Sequence, residues 1–517
     1  MKQKRSAVPE PPISKQLRLY LYLTAAVTGA AIMVVEILGA KMLSPFVGLS
    51  HFVWTAQIAV TLVALACGYY VGGRLADHSQ RLPRLYSAIV GAAVYLSLTV
   101  LMCEPVAYWA LDFSLPIGSL MASSILFFIP LALLAMTGPF LVRVITSSVA
   151  GVGGNVGRLT SISTLGSFAG TLCIGYIMIP LLPNSVTMYL TSVSLLVVCA
   201  GYYAVFHRQG LIPPALGALL VLGTGLGLQP SRQYRLVNRV YHANSHFGRL
   251  EVYDRLDGKG RFYLNDYLIQ NTYDPTSQKS ESAFTYLLSG LARAYTTNIQ
   301  DVLCIGLGVG IVPMDFAQHG VNVDVVEINP AVVPLAVRFF NCQTNLIHLT
   351  LDDARHYLNR CRKQYDVVVL DAFLGDSSPS HLFTHEAFSS MHRVLRPGGS
   401  LVINCFGDLE EGHDYFASSL NKTLKSVFKA VHLHTSGHGA VFFAASDRTD
   451  QGFVHTPDLG GVYASLVPEL EAVFAGTADT PADHGRVLTD DFNPVEFYDA
   501  HNREEIRRRF ALNVKSM

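Results

Sequence analysis

Between residues 301 and 383, a short apolar run ends four times on residues that could do chemistry. DVLCIGLGVGI (301–311) runs into a turn where Gly306, Gly308 and Gly310 allow a sharp bend and close approach of a ligand to the backbone. VNVDVVEINP (321–330) ends at Glu327, roughly 20 residues after that turn, where an acid can accept both hydroxyls of a ribose. LIHLTLDDARHYL (346–358) delivers Asp352 and Asp353 ahead of a helix expected to start near Ala354. An aspartate there can cap the helix or bind an adenine amino group. YDVVVLDAFLGDSSPSHLF (365–383) ends a buried-looking run on Asp371 and holds Asp376 in the polar loop that follows. The glycine turn alone is a weak signal, because Val312 and Pro313 stand where a GxGxxG fingerprint needs its last glycine.

These residues need elements to position them. Short apolar runs alternating with helical patterns are the signature of βαβ units around a parallel sheet. Open sheets of this kind bind ligands in the crevice beyond the carboxyl ends of their strands. The glycines, Glu327, Asp353 and Asp371 therefore converge on one place, and together they favour a nucleoside-type ligand. Upstream, FGRLEVYD (247–254) and GRFYLNDYLIQ (260–270) read as two strands of a small β element with a turn at Asp257 and Gly258.

In order, GLGVG, VEINP, DDA, YDVVVLD and LRPGGSLVIN (395–404) resemble a Rossmann-like, class I adenosylmethionine-type fold. YLNDYLIQ upstream, Pro379 ahead of HLF, and the β element at the entrance resemble the spermidine synthase (polyamine aminopropyltransferase) family. That resemblance implies transfer of an aminopropyl group from decarboxylated S-adenosylmethionine to an amine, putrescine-like and giving spermidine or another polyamine, with release of methylthioadenosine. It assigns Asp371 as the catalytic base and Asp376 to the amine. Glu327 falls to the ribose, Asp353 with Ala354 to the adenine, Pro379 to the adenosine side, and the three glycines to the turn beneath it. Gln270 matches the glutamine after the second entrance strand, and Asp491 of LTDDFNPVE, beside Asp490, belongs to a segment that recurs in fused members. It implies no metal.

The chain departs from the family pattern in three segments. Val309 replaces an aspartate that holds an ammonium group, Ala283, Phe284 and Thr285 fall where the family has a Tyr-His-Glu or Tyr-Gln-Glu gate, and Gly248 replaces a glutamine. The nucleoside-binding half is kept and much of the polyamine-binding half is lost.

The first half of the chain has another texture. The 517 residues are 50% hydrophobic and only 15% charged, with mean hydropathy +0.33, too apolar for an ordinary soluble protein. A helix needs roughly 20 mainly apolar residues to cross a bilayer, and seven runs qualify, near 19–43, 53–75, 85–107, 117–143, 159–183, 185–206 and 211–228. The expected organisation is a tail (1–18), a multi-span α-helical membrane domain (19–228), a linker with the β-rich entrance (229–290) and an α/β catalytic domain (291–517). VEILGAKML, MTGPFLVR and GRLTSISTLGSFAGT in this half are similar to the multi-span segment fused to such domains in bacteria, which implies the bacterial plasma membrane.

Loop Lys and Arg favour the cytoplasm. The tail, the loop with Arg74, Arg81 and Arg84, the loop with Arg143 and Arg158, and Arg208 fall on one side by count, so the N-terminus is expected to be cytoplasmic. Seven spans would then leave the catalytic domain outside, against a co-substrate made in the cell, and the Gly- and Pro-rich seventh run leaves this side open. Glu36 is the clearest ionisable group at membrane depth, and the glycines of STLGSFAGTLCIGY suggest close helix packing.

Formal net charge is zero and pI about 7.3, without a basic stripe, so nucleic acid is not an expected partner. The expected partners are a small amine and the lipid bilayer, with a homo-oligomer left open. The eight cysteines are spread singly and read as buried free thiols. Two other functions stay open: an S-adenosylmethionine-dependent methyltransferase, which Val309 favours, and a nucleoside- or polyamine-binding sensor or transporter without catalysis.

Overall fold

The computed structural model describes residues 13–48, 51–146, 152–207, 212–226, 236–266, 268–373, 379–410, 412–437, 439–449, 452–478, 480 and 485–498. The chain divides into two compact units, residues 1–44 with 52–231, and 45–51 with 232–517.

In the first unit, six helices are long and apolar enough to cross a bilayer: Lys15–Val47, His51–His78, Leu82–Ala110, Leu115–Ile145, Val152–Leu181 and Asn184–Val205. The seventh run forms the helix Ile212–Leu226, whose 15 residues reach about 22 Å at 1.5 Å per residue, short of a hydrocarbon core about 30 Å thick. Among the described residues, six candidate spans replace the seven expected. Small residues let two of them touch: a side chain at Gly166 or Gly170 would run into the backbone of Ala26 or Ala30, and the Ser167 hydroxyl donates to the Gly29 carbonyl at 3.1 Å. Glu36 lies within the first of these helices, partly buried.

The second unit opens with an antiparallel five-stranded sheet in sequence order: β1 Val237–Ser245, β2 Gly248–Arg255, β3 Arg261–Asn265, β4 Leu268–Asp274 and β5 Lys279–Ser280. The expected turn at Asp257 and Gly258 is there, with Gly258 at φ +71. The stretch 260–270 is two strands rather than one, because Asp266 takes φ +47 and reverses the chain between β3 and β4.

A seven-stranded sheet follows: β6 Asp301–Ile305, β7 Asn322–Glu327, β8 His348–Leu351, β9 Tyr365–Leu370, β10 Leu395–Phe406, β11 Ala430–Gly437 and β12 Ala440–Ser446. Its order is β11-β12-β10-β9-β6-β7-β8, parallel from β10 to β8, with β12 antiparallel to β10 and to β11. Both faces are covered, which is why these strands read as continuous apolar runs. Val302, Cys304, Val367 and Val369 pack on one side with Leu287, Leu288 and Leu291 of the helix Ala283–Tyr295. Leu303, Ile305, Val368 and Leu370 pack on the other with Phe388, Phe416 and Leu420.

Polar pairs fasten the amino ends of the strands. Asp324 accepts from the Tyr365 hydroxyl at 2.6 Å and from Lys363 Nζ at 3.1 Å, and Arg396 reaches Asp301 and Asp366 at 2.7 and 2.8 Å. The carboxyl ends are thus left to form a site.

Candidate active site

A cavity of about 330 Å³ lies at the carboxyl ends of β6 to β10, roofed by the entrance sheet. Its floor begins at the glycine turn. Gly306 takes φ +99, and a side chain there would run into the Asp371 carbonyl, so only glycine lets β6 and β9 meet at this point. Gly308, at φ +53, lines the cavity, and a Cβ on it would meet nothing within 4 Å, which leaves the backbone open to a ligand. Gly310, at φ +89, faces the Cys342 side chain instead and starts the helix Ile311–Gln318. It shapes the turn without lining the cavity.

Glu327 ends β7 and is 8% exposed. Its two oxygens accept from the Leu307 and Asn329 backbone N–H groups at 2.8 and 2.7 Å, tying it to the glycine turn. Burial pushes its carboxyl above the usual range, and those bonds pull it back. Each carboxylate oxygen keeps acceptor capacity toward the cavity. Asp353 caps the helix Ala354–Arg360 by accepting from His356 N–H at 3.0 Å, and its other oxygen pairs with His381 Nε2 at 3.0 Å. Asp352, Asp353 and Ala354 all line the cavity.

Asp371 stands just past β9. It is set deep in the unit, where burial pushes its carboxyl up to about 6, yet it opens partly to the cavity. The Asn404 amide at the end of β10 donates to its Oδ1 at 2.9 Å and lowers it again. Asp371 is therefore a carboxylate that can take a proton near neutrality while one oxygen is held in place.

Other expected residues divide. Gln270 and Pro379 line the cavity, as do Val309, Phe284 and Thr285. Asp376 lies outside the described residues. Asp491 is exposed and is not among the lining residues. Its neighbour Asp490 is committed elsewhere, accepting from Arg355 at 2.7 Å and from the Thr384 hydroxyl at 2.7 Å. With Asn493, which donates to the Ser380 carbonyl at 2.6 Å, it ties down the segment that follows Pro379. Gly248 takes φ +120 with the Asn265 and Asp266 side chains against it, so a larger residue there would strain the backbone and displace those side chains.

Sequence reasoning passed over Asn404, His381, and the Phe373 and Phe406 rings, whose centroids lie 5.1 Å apart. Asn404 carried a readable signal, since it is a polar residue within an otherwise apolar buried run near the end of β10, one strand over from Asp371.

Residues 281–437 match the spermine/spermidine synthase domain family. The chain is 38% identical over 224 residues to a polyamine aminopropyltransferase of Vibrio vulnificus, covering 41% of this chain and 74% of the relative. It is 33% identical over 217 residues to an N-terminal histidine N-methyltransferase of Emericella nidulans, covering 37% of this chain and 38% of that one. Among solved structures, a probable spermidine synthase from Corynebacterium glutamicum aligns at 20% identity and TM-score 0.39, over 49% of this chain and 95% of that one. On the strength of the Vibrio relative and the domain match, the chain belongs to the spermidine synthase family.

Proposed function

We propose that the α/β unit transfers an aminopropyl group from decarboxylated S-adenosylmethionine to an amine, releasing methylthioadenosine. The observation that carries this reading is Asp371, a deep carboxylate held by Asn404 beside the cavity, with Glu327 and Asp353 at the other end of the same cavity. The amine nitrogen must be neutral to attack, because an ammonium has no lone pair. Asp371 can take that proton and leave the nitrogen lone pair free to attack. Glu327 suits the ribose, Asp353 with Ala354 the adenine, and Gly306 and Gly308 the close passage of the nucleoside over the turn. Gln270, Pro379 and Asp376 are kept as ligand contacts on the family likeness alone. The aminopropyltransferase name of the Vibrio relative supports this choice of donor.

Methyl transfer from S-adenosylmethionine is the second reading, favoured by two observations: a relative named as a histidine methyltransferase, and an uncharged Val309 in the glycine turn. Supplying each donor with a panel of amines separates the two. Methylthioadenosine release supports aminopropyl transfer, and S-adenosylhomocysteine release supports methyl transfer.

The first unit is proposed to hold the enzyme in the bacterial plasma membrane through its six long apolar helices. An even number of crossings returns the chain to the side on which it began. With the Lys- and Arg-rich loops inside, that side is the cytoplasm, where the donor is made.

A further inference from the structure

Asp353 is placed by two hydrogen bonds, one on each oxygen. Its Oδ1 accepts from the His356 N–H at 3.0 Å, and its Oδ2 pairs with His381 Nε2 at 3.0 Å. An ionised carboxylate only accepts, so the imidazole proton of that pair sits on Nε2. A carboxylate bonded at both oxygens is fixed in plane and direction, and each oxygen still has a lone pair to offer. The first bond belongs to the helix that Asp353 caps. The second comes from a residue 28 positions further along the chain, whose side chain lines the same cavity.

The backbone that carries the His381 ring is held independently of the pair. The Ser380 carbonyl accepts from the Asn493 amide at 2.6 Å, and the His381 carbonyl from Arg355 Nη1 at 3.1 Å. Leu382 and Phe383, next in the chain, are buried in the core. Arg355 is itself fixed by the Thr384 hydroxyl at 3.1 Å and by Asp490 at 2.7 Å. The ring is thus delivered to Asp353 by a backbone that the core and the segment around Asp490 hold still. The His381 side chain, by contrast, is 48% exposed, and an ion pair so open to water adds little to the stability of the fold. What the pair does is aim a carboxylate. At the nucleoside end of the cavity, a fixed acceptor rewards a base that presents a donor, and the 6-amino group of a purine is one.

We infer that His381 is a positioning residue for the base of the nucleoside: its Nε2–H holds Asp353 in the direction that accepts from a purine 6-amino group, and so sets the selectivity for that group. The inference rests on the aminopropyl reading, which puts the nucleoside over Glu327 and Asp353, and adds the residue that makes the base site selective. Without the imidazole donor, Asp353 keeps only the bond from His356 and turns about it toward water, and the reward for the amino group is lost.

The test is calorimetry on the full-length chain in nanodiscs with two ligands, methylthioadenosine and its analogue with hydrogen in place of the 6-amino group. Wild type is expected to bind methylthioadenosine about tenfold more tightly than the analogue, the effect of one hydrogen bond to a charged group. His381→Phe keeps a ring and loses the donor; it is expected to lose most of that preference, with affinity for the analogue unchanged within a factor of about two. His381→Gln, whose amide nitrogen can stand near the place of Nε2, is expected to recover most of the loss. Four results overturn the inference: a wild type that does not distinguish the ligands, a Phe variant that keeps the preference or weakens both ligands alike, a Gln variant no better than the Phe variant, and a Phe variant that fails to fold, which would make His381 structural. In each of these the wild type still binds methylthioadenosine and releases it from the decarboxylated donor, so the aminopropyl reading stands. A wild type that neither binds nor releases it overturns both.

Discussion

The Asn404 amide donates a 2.9 Å hydrogen bond to Asp371 Oδ1 across the adjacent ends of β10 and β9. Asn404 thereby fixes the rotamer of the proposed base and favours its charged form against burial. Asn404→Ala is expected to lower turnover about tenfold and to move the acid limb of the pH–rate profile upward from about 6. An unmoved limb would reduce Asn404 to a packing residue.

Burial raises the Asp371 carboxyl from its ordinary value of 3.8 to about 6. A raised acid supports folding fully below the unfolded value, and that support is lost as pH climbs through the folded value. Above about pH 6 the ionised carboxylate therefore weakens the fold, by about 1 to 3 kcal/mol from the size of the shift. Asp371→Asn is expected to abolish activity, with a loss of roughly 10²–10⁴, and to unfold at a higher temperature than wild type at pH 7.5 but not at pH 3.5. A stability difference independent of pH would contradict the burial of this charge.

Glu327 both pins the glycine turn and faces the cavity. Glu327→Gln keeps the size but turns one acceptor oxygen into a donor, so methylthioadenosine affinity by calorimetry is expected to fall about tenfold, the effect of one lost hydrogen bond to a charged group. Unchanged affinity would sink the ribose assignment.

Asp490 and Asp491 are adjacent in sequence and differ in surroundings. Asp490 joins Arg355 and Thr384, whereas Asp491 is exposed away from the cavity. Asp490→Ala is expected to lower the unfolding temperature of the solubilised chain. Asp491→Asn is expected to leave both stability and the KM for the amine within a factor of two, and a raised KM would return Asp491 to the substrate site.

Six crossings predict that the two ends of the chain share the cytoplasmic side. Fusing a reporter that fluoresces only in the cytoplasm to each end, in turn, should give signal from both. Signal from the N-terminal fusion alone would restore an odd count.

The site was legible in sequence where charge interrupted an apolar pattern. Asp371 and Glu327 stood out because a buried strand has little reason to end on a carboxylate unless a crevice lies beyond it. Asn404 interrupts an apolar strand two residues before its end, but a neutral amide draws less attention. Phe373 and Phe406 could not be told from core residues, since only the tertiary fold turns them toward a cavity. The reversal at Asp266 was hidden because a non-glycine residue takes the positive φ. The partners of Asp490 lie 106 and 135 residues away, beyond any local pattern. The seventh apolar run met the hydropathy rule for a span, but its described helix, Ile212–Leu226, has 15 residues, which composition alone does not reveal.

The most direct test is to supply decarboxylated S-adenosylmethionine and S-adenosylmethionine separately, each with the amine panel, and to identify both products by mass spectrometry. Aminopropyl transfer predicts methylthioadenosine together with an amine heavier by one aminopropyl group, from the decarboxylated donor only. S-adenosylhomocysteine and a methylated amine from the other donor, with no methylthioadenosine from the first, would contradict it.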